Sequence, residues 1–396
     1  MSERNILPIG DGICDDTDAI QELLDSGISE VFLPGTTAHY VISRTLIIHS
    51  GQTLRLPLMA TIRLADGADC LMLANASIDD HDIAVIGGIW DFNNLGQSPN
   101  PLATGKYQCG ETCDAGHFME DYMGVVMRFC GIKRLTLRDI TIKDPVTFGI
   151  ELAHAEEFTI ENIRFDFNFG NPAAVNMDGV HIDGFCHFGT IRNLKGTCYD
   201  DLLALNADDF LRGPISDIEV DGIFADNCHS AVRLLSTRSR VERISIRNVY
   251  GTYYQYAIGV TRFYAWDGIR GEYDALSFDN IFVSKAERYS HYCKDGSYVF
   301  SPIYVDTGLN VRSLHIRNLH RREMTTAVPL VTVLAGTTVR RLSIEHASQE
   351  NLTDKEIPIL HIAGEVEHLY LRDIDCGGDK LLVQDGAIGS LDLLLQ

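Results

Sequence analysis

The sequence predicts an all-β right-handed parallel β-helix, a solenoid of stacked coils, with a short N-terminal capping helix. Two observations predict this fold. A short motif recurs along the chain at distances that match solenoid coils, and the residues around each copy alternate between apolar and polar side chains. Repeats of this length are typical of solenoids, and a period of two indicates strands and not helices.

The recurring motif is four residues long. It consists of an apolar residue, a polar residue, a third residue that is usually Asn or Asp, and a second apolar residue. Its nine copies begin at Leu137, Ile160, Ile191, Val220, Ile246, Phe278, Ile316, Ile344 and Leu371. They are separated by roughly 23 to 38 residues. Because Asn and Asp favour tight turns and tolerate a left-handed backbone, the third position predicts a turn between strands.

The solenoid is predicted to form a single domain over residues 1–396, with its N-terminal cap in residues 1–30. Asp15, Asp16 and Thr17 are expected to begin the capping helix. Its apolar stripe consists of Ala19, Ile20, Leu23 and Leu24. Two stretches that interrupt the strand pattern, 91–123 and 264–300, are predicted as loop insertions, where functional residues often lie.

Composition and charge narrow the classes of partner. The chain of 396 residues is 45% hydrophobic and 22% charged, with a formal net charge of −22 at pH 7. Nucleic acids and anionic membranes bind basic surfaces, so neither is expected as a partner. No apolar run is long enough to span a bilayer. A neutral or short substrate suits this charge better than an acidic polymer.

The ten cysteines stand mostly alone in strand-like segments. Isolated cysteines on apolar faces are typical of small buried side chains in a reducing compartment. The N-terminal residues also lack the basic and apolar segments of a secretory signal. The sequence therefore predicts a cytoplasmic protein, or a secreted one if a signal peptide was removed. Its oligomeric state is left open.

Polar side chains concentrate in the central coils at about one-coil spacing. Asp178 is followed by the pair Asp200-Asp201, by His229 and by Arg262. Since positions one coil apart stack in a solenoid, these residues are expected to form a column on one face. Any one of these aspartates alone is more often a turn residue, so the hypothesis depends on their combination and order.

Such a column suits the hydrolysis of a glycosidic bond. That reaction needs one carboxylic acid to protonate the leaving oxygen and a second carboxylate to activate water. Crowded aspartates raise the pKa of at least one member, which supplies a proton donor at working pH. Tyr264 and Trp266, in the second predicted insertion, are candidate stacking surfaces for sugar rings.

The central segments resemble glycoside hydrolase family 28, the polygalacturonases and their relatives. The segment 176–182, with Asn176 and Asp178, is similar to that family's Asn-Thr-Asp-Gly motif, and 200–205 is similar to its Gly-Asp-Asp segment. His229 falls at the histidine of Gly-His-Gly, and Arg262 at the arginine of Arg-Ile-Lys. Residues 87–91 and 10–20 resemble further segments of the wider pectate-lyase-like superfamily.

The resemblance implies a role for each matched residue. Asp200 would be the general acid, supported by His229. Asp178 and Asp201 would hold and deprotonate the attacking water, which gives inversion at the anomeric carbon. Asn176 and Arg262 would bind an oligosaccharide or polysaccharide substrate. Apart from the resemblance, the two long insertions are expected to block one end of the groove, so we hypothesise attack at a chain end. No metal and no organic cofactor are implied.

Three departures from the family pattern bear on the substrate. The glycines around the histidine are Cys228 and Ser230, and the residue before the aspartate pair is Tyr199. The family's lysine, which grips a uronate carboxylate, is replaced by Tyr264. We therefore hypothesise a different or neutral sugar at the cleavage point.

Other functions remain open on the same fold, including those of isomerising and fructan-transferring β-helices. A polysaccharide lyase would use Asp178, Asp200 and Asp201 to bind calcium and Arg233 or Arg262 as its base. A non-catalytic carbohydrate-binding or adhesive β-helix would need none of this chemistry. Cys109, Cys113 and His117 lie close together in the first insertion, but their spacing matches no strong zinc pattern.

Overall fold

The computed structural model describes residues 7–101, 123–262, 268–287 and 299–394. Within these residues it contains one α-helix, α1 (Thr17–Asp25), a 3-10 turn at Asn94–Gly96 and 26 strands. The strands are β1 (Glu30–Phe32), β2 (Tyr40–Ile42), β3 (Leu46–Ile48), β4 (Thr53–Arg55), β5 (Thr61–Leu64), β6 (Leu73–Asn75), β7 (Asp80–Ile86), β8 (Ile89–Asp91), β9 (Met127–Arg138), β10 (Thr141–Lys143), β11 (Ile150–Glu156), β12 (Thr159–Asp166), β13 (Val180–Ile182), β14 (Cys186–Thr197), β15 (Asp201–Asn206), β16 (Ile215–Leu235), β17 (Arg240–Thr261), β18 (Gly271–Lys285), β19 (Ile303–Val305), β20 (Leu309–Glu323), β21 (Val331–Val333), β22 (Thr338–Asn351), β23 (Leu360–Ile362), β24 (Glu365–Asp375), β25 (Leu382–Gln384) and β26 (Ala387–Leu394).

Every strand pair in the described ranges is parallel, and the pairs join into long ladders along the chain. One ladder, which we call sheet 1, links β3, β6, β9, β11, β13, β15, β16, β17, β19, β21, β23 and β25. Long strands such as β16 and β17 bend and contribute to successive faces of the coil. The predicted right-handed parallel β-helix is confirmed.

The motif marks a regular bend in each coil. At its third position every copy has a left-handed backbone, with φ between 50° and 91°. Asn162 donates to Asp139 Oδ1 at 2.9 Å and Asn193 donates to Asn162 Oδ1 at 3.0 Å, so the bends stack through their side chains. Asp139 lies between β9 and β10, as predicted, but the other eight positions lie inside continuous strands such as β14, where the predicted turn is a bend within a strand.

The core fills the inside of the solenoid. Along β17, Ile244, Ile246 and Val249 are fully buried and stack in register with equivalent residues of β16 and β18. Burying one such side chain contributes about 1.5–3 kcal/mol to the free energy of unfolding. Repeated stacking of this kind holds the outward-facing residues of each coil at fixed spacing.

Helix α1 packs at the N-terminal end of the solenoid, with Ala19, Ile20 and Leu24 buried. The side chain of Gln21 pairs with the backbone of Ile47 in β3, through bonds of 2.8 and 3.0 Å, and so satisfies an edge of sheet 1. The helix begins at Thr17 with Asp16 at its N-cap position, as expected, but the side chain that bonds its first residue is that of Asp15, whose Oδ1 accepts the N–H of Thr17 at 2.9 Å. The Asp16 carboxylate accepts the backbone N–H of Ile9 at 2.6 Å instead.

The two predicted insertions differ in outcome. The range 264–300 is not an insertion throughout, because Gly271–Lys285 forms β18, whose alternating side chains supply core residues such as Phe278. In the other range, 91–101 folds against later coils, with Asn94 Nδ2 donating to Pro145 O at 2.9 Å. Cys109, Cys113 and His117 lie outside the described residues. The single described helix is too short and too polar to cross a membrane.

Candidate active site

The outer face of sheet 1 carries a row of side chains at one register position. This outer row consists of Arg128, Glu151, His181, Ala204, Arg233, Gly259 and Tyr304. Strand alternation directs the row away from the core, because its neighbours along each strand, such as Val180 and Ile182, are core residues. Polar groups in the row therefore lie outside the solenoid core, although Arg128, Glu151 and His181 are each only 1% exposed.

Asp178 and Asp201 lie three residues before two members of the outer row, His181 and Ala204, near the starts of β13 and β15. Asp201 pairs in register with Ser230 of the next coil. The backbone N–H of Asp201 donates to Asp178 Oδ1 at 3.0 Å, which joins the coil before it. Asp200 directly precedes Asp201, and His229 directly precedes Ser230. The structure thus brings together four of the proposed site residues, Asp178, Asp200, Asp201 and His229.

Asp178 is held through both carboxylate oxygens. Its Oδ1 accepts the N–H of Asp201, and its Oδ2 lies 2.7 Å from His181 Nδ1. His181 in turn stacks on Phe148, with ring centroids 4.2 Å apart and an interplanar angle of 16°. The orientation of Asp178 is therefore fixed by a backbone donor on one side and a packed imidazole on the other.

Asp201 and Asp200 have different neighbours. The hydroxyl of Ser230 donates to Asp201 Oδ1, and Arg233 Nη1 lies 3.5 Å from Asp201 Oδ2. Asp200 Oδ1 lies 3.3 Å from His229 Nδ1. The side chain of Asp200 is 12% exposed, against 1% for Asp201, so Asp200 is the more accessible of the pair.

The pKa values of the three aspartates move in opposite directions. Burial raises the pKa of Asp178 to about 7, and the charges of Asp200 and Asp201 add to this, while His181 opposes it. Burial and the charge of Asp200 also raise the pKa of Asp201, against the effect of Arg233. For Asp200, burial acts to raise the pKa, but the nearby His229 and the charge of Arg233 lower it overall.

The raised pKa values of Asp178 and Asp201 agree with the expected effect of crowding, but the lowered pKa of Asp200 does not fit its role as the only general acid. The resemblance assigns Asp200 as general acid, yet its pKa is the lowered one. A general acid must carry a proton at working pH. Asp200 alone is therefore poorly suited as the proton donor, whereas the raised pKa makes Asp178 a stronger base than an ordinary carboxylate.

Among the described residues, the ligand-forming atoms of Asp200, Asp201 and His229 lie within 4.8 Å of one another, a spacing that a metal ion could bridge. Two features disfavour an ion there. The guanidinium of Arg233 lies beside Asp201, and the Ser230 hydroxyl donates to the same carboxylate. A cation would have to displace or oppose both groups, so the geometry fits a hydrogen-bonded site better than a metal centre.

Arg262 does not join the cluster. Arg262 follows the last residue of β17, and its Nη1 donates to the carbonyl of Ile269 at 2.8 Å. The coil position beside Ser230 belongs to Tyr256, six residues earlier, or about 20 Å along an extended strand. The ring of Tyr256 covers Gly259, where an added Cβ would come within 2.6 Å of it. The predicted stacking of Arg262 on His229 is wrong, because this coil is shorter than the sequence spacing suggested.

The other candidate substrate-binding residues are only partly placed. Asn176 lies two residues before Asp178 with a left-handed backbone, φ 49°. Tyr264 and Trp266 lie outside the described residues. Asn176 thus stands close to the cluster along the chain, and the roles of all three in binding remain predictions.

Two side chains at the cluster received no catalytic role from the sequence. His181 lies within the motif of Asp178, and its alternation with the core residues Val180 and Ile182 was the available signal for an outward direction. Arg233, which the sequence suggested only as the base of a lyase, lies at the equivalent position two coils later. Both belong to the outer row.

Comparison with known proteins is informative only at the level of structure. No protein-family model and no curated protein matches the chain. The family 28 exopolygalacturonase of Yersinia enterocolitica is similar at 14% identity and TM-score 0.59, over 95% of this chain and 77% of that one. The endo-xylogalacturonan hydrolase of Aspergillus tubingensis is similar at 13% identity and TM-score 0.60, over 96% and 99%.

An enzyme of another class is similar as well. The A-module of the mannuronan C-5 epimerase AlgE4 of Azotobacter vinelandii has 14% identity and TM-score 0.54, over 98% of this chain and 97% of that one. Identities this low establish a shared fold and leave the chemistry to the residues of the site. The predicted resemblance to polygalacturonase-like proteins is thus confirmed for the fold: the chain has the parallel β-helix that these hydrolases share with the epimerase.

Proposed function

We propose that the chain is a glycoside hydrolase that cleaves a pectin-like or other oligosaccharide at Asp178, Asp200 and Asp201. The observation that carries the proposal is the direct connection of these carboxylates across two coils. Asp201 N–H donates to Asp178 Oδ1 at 3.0 Å, and the nearest side-chain atoms of Asp200 and Asp201 lie within 4.8 Å. Glycosidic cleavage uses neighbouring carboxyl groups whose environments separate their pKa values.

In this proposal Asp200 and His229 together supply the proton. The imidazole holds it in the resting protein, because the positive charge of His229 lowers the pKa of Asp200. As the leaving oxygen gains negative charge, His229 gives its proton to Asp200, and Asp200 passes a proton to that oxygen. Asp178 takes a proton from the attacking water, which Asp201 helps to hold.

The burial of the outer row supports action at a chain end. Arg128, Glu151 and His181 face outward on the coils before the cluster, yet each is only 1% exposed. Phe148 and Phe210 pack over His181 and close this part of the sheet. Among the described coils, a glycan bound at Asp178 therefore has no open groove toward the N-terminal end. In the described residues the cluster is most accessible at Asp200 and Arg233.

Inversion at the anomeric carbon is the stereochemistry we propose, following the resemblance. Most inverting enzymes hold the acid and base about 6.5–9.5 Å apart to leave room for water. The separation of Asp200 and Asp201, within 4.8 Å, is shorter. Asp178, on the preceding coil, is therefore the better placed base, and proton NMR of the first anomer released decides between inversion and retention.

The sugar at the cleavage point is a separate question. The hypothesis of a neutral sugar depends on Tyr264 in place of a lysine. Arg233, however, places a guanidinium beside Asp201, 15% exposed, and guanidinium groups bind carboxylates well. Both neutral and uronate oligosaccharides are therefore required as test substrates.

A polysaccharide lyase is the second candidate, and the position of Arg233 favours it. A lyase needs a base beside the sugar carbon that loses its proton, and Arg233 Nη1 lies 3.5 Å from Asp201 Oδ2 within the cluster. The two reactions differ in their products. A lyase creates a double bond that absorbs ultraviolet light, whereas a hydrolase adds water.

The experiment that tests the proposal is incubation with neutral and uronate oligosaccharides, with reducing ends and ultraviolet absorbance measured together. New reducing ends without absorbance, released as monosaccharide from a chain end, support the exo-acting hydrolase. Absorbance would assign a lyase instead. Internal fragments without monosaccharide would contradict exo action, and glycan binding without turnover would favour a carbohydrate-binding β-helix.

A further inference from the structure

His181 occupies a closed position behind the aspartate cluster. It lies in the outer row between Glu151 and Ala204 and is 1% exposed. Phe148 stacks on its ring at 4.2 Å, and Phe210 packs at 6.2 Å with an angle of 52°. No substrate atom can reach this ring without displacing the aromatic cover, so any influence of His181 on the reaction has to act through a neighbour.

The neighbour on one side is Asp178. His181 Nδ1 lies 2.7 Å from Asp178 Oδ2, with both groups buried. The other oxygen of Asp178 accepts the N–H of Asp201. This leaves the carboxylate no freedom to rotate while both bonds are kept, and it orients Asp178 relative to Asp201.

The other side of the ring faces two more carboxylates. His181 Nε2 lies 3.6 Å from Asp183 Oδ1 and 3.7 Å from Asp209 Oδ2, distances at which charge attraction persists without a hydrogen bond. Asp183 Oδ1 accepts the N–H of Phe210 at 3.2 Å. Asn206 Nδ2 donates to Asp209 Oδ2 at 3.2 Å. Both carboxylates are therefore held where they face the imidazole.

One further charged pair faces His181 from the preceding strands. Glu151 is its register partner on β11, and Glu151 Oε2 accepts from Arg128 Nε at 2.5 Å. Burial disfavours a charge on His181, but the charge of Asp183 and the bond and charge of Asp178 raise the pKa of His181 well above its usual value. An imidazole among carboxylates in a low-dielectric interior is expected to carry its proton.

We propose that His181 is a positioning residue: as an imidazolium held between Asp178 and the carboxylates of Asp183 and Asp209, it fixes and charges Asp178 as the water-activating base. This role rests on the proposed function of Asp178. It differs from simple packing, because a neutral residue of similar shape would fill the space without keeping Asp178 ionised.

The first test needs no activity. The protein is labelled with ¹⁵N-histidine and with ¹³C at the aspartate carboxyls, and signals are assigned with His181→Asn and Asp178→Asn. The wild-type His181 signal should remain that of an imidazolium from about pH 5 to about pH 8. Asp183→Asn should lower its titration midpoint, and His181→Asn should raise that of Asp178. A His181 that titrates near its ordinary pKa of about 6.5 would overturn the proposal.

The second test uses the enzyme reaction. Asn at position 181 keeps a donor near Asp178 but removes the charge, so kcat should fall by about 10- to 100-fold with KM nearly unchanged. The acidic limb of the pH profile should move to higher pH. His187, exposed on another face, serves as the matched control in His187→Asn. An unchanged profile in His181→Asn contradicts the proposal. If wild type cleaves no glycan, the proposed function fails, and the NMR result still decides the role of His181.

Discussion

His229 Nδ1 lies 3.3 Å from Asp200 Oδ1, with the imidazole almost fully buried and the carboxylate slightly exposed. In the proposed reaction the two groups act together as the acid, and the exposed part of the Asp200 side chain faces the substrate. The ring of Tyr254 packs over His229, with centroids 6.3 Å apart, and limits its rotation. An acid of this kind keeps a proton available although the pKa of Asp200 itself is lowered.

Replacing His229 should remove the proton store while leaving the carboxylate. We expect His229→Gln to lower kcat by about 100-fold, the usual size of a general-acid contribution, with little change in KM. Steady-state kinetics on the substrate identified by the oligosaccharide screen measures this. A wild-type kcat in the variant would show that Asp200 acts without its partner.

The raised pKa of Asp178 predicts an unusual pH dependence. A base must be deprotonated to act, so kcat/KM should rise with pH through a midpoint near the pKa of about 7 that burial gives Asp178. Asp201→Asn removes a neighbouring negative charge and should move this midpoint to lower pH. A rise near the ordinary aspartate value of 3.8 would contradict the assignment of Asp178.

The same crowding predicts a cost in stability. The folded pKa of Asp201 is raised above its unfolded value of 3.8, so its stabilising contribution is present below that value and is lost as pH rises through the folded pKa. Asp201→Asn should therefore gain stability relative to wild type as pH increases. Its lost bonds to Ser230 and Arg233 add only an offset that varies little with pH.

Denaturant unfolding of both proteins at several pH values measures this difference. Asp79→Asn, at an exposed aspartate, is the control for loss of charge alone. A difference between Asp201→Asn and wild type that stays constant with pH, or shrinks as pH rises, would contradict the raised pKa.

The left-handed bends predict an ordering of two variants at one site. Asn248 has φ 60° and donates to Asp221 Oδ1 at 2.6 Å. Asn248→Gly and Asn248→Ala both lose this bond, but only Ala brings a Cβ that the left-handed backbone disfavours. We expect the free energy of unfolding of Asn248→Ala to be about 1 kcal/mol lower than that of Asn248→Gly. Equal stability would mean that the bend relaxes.

The fold was predictable because the same local sequence pattern recurs in many coils. Each motif copy supplies apolar residues on alternate positions and a residue that accepts a left-handed backbone, as at Asn248. The misassigned stretch was Gly271–Lys285, where aromatic residues nearby suggested a loop. The motif copy that begins at Phe278, with Phe278 inward, predicted a strand there and was the better signal.

The site was only partly predictable, because register across coils depends on loop lengths that vary. Asp178 and Asp201 were placed correctly since they are one coil apart and lie at equivalent positions, Asp201 at the first residue of β15 and Asp178 two residues before β13. Arg262 was misplaced, because the coil after His229 is shorter than its sequence spacing suggested and brings Tyr256 to that position. His181 was overlooked although Asp178 and Asp183 flank it in the sequence, since Asp209 and the aromatic cover of Phe148 and Phe210 come together with it only in three dimensions.

The most direct test of the account compares wild type with Asp200→Asn on one panel of neutral and uronate oligosaccharides. Asn keeps the size of the side chain but cannot pass a proton to the leaving oxygen. The account predicts that wild type releases new reducing ends without ultraviolet absorbance, and that Asp200→Asn, folded to the same melting temperature range, loses this activity by at least about 100-fold. Equal activity in the two proteins would contradict the aspartate cluster as the catalytic site.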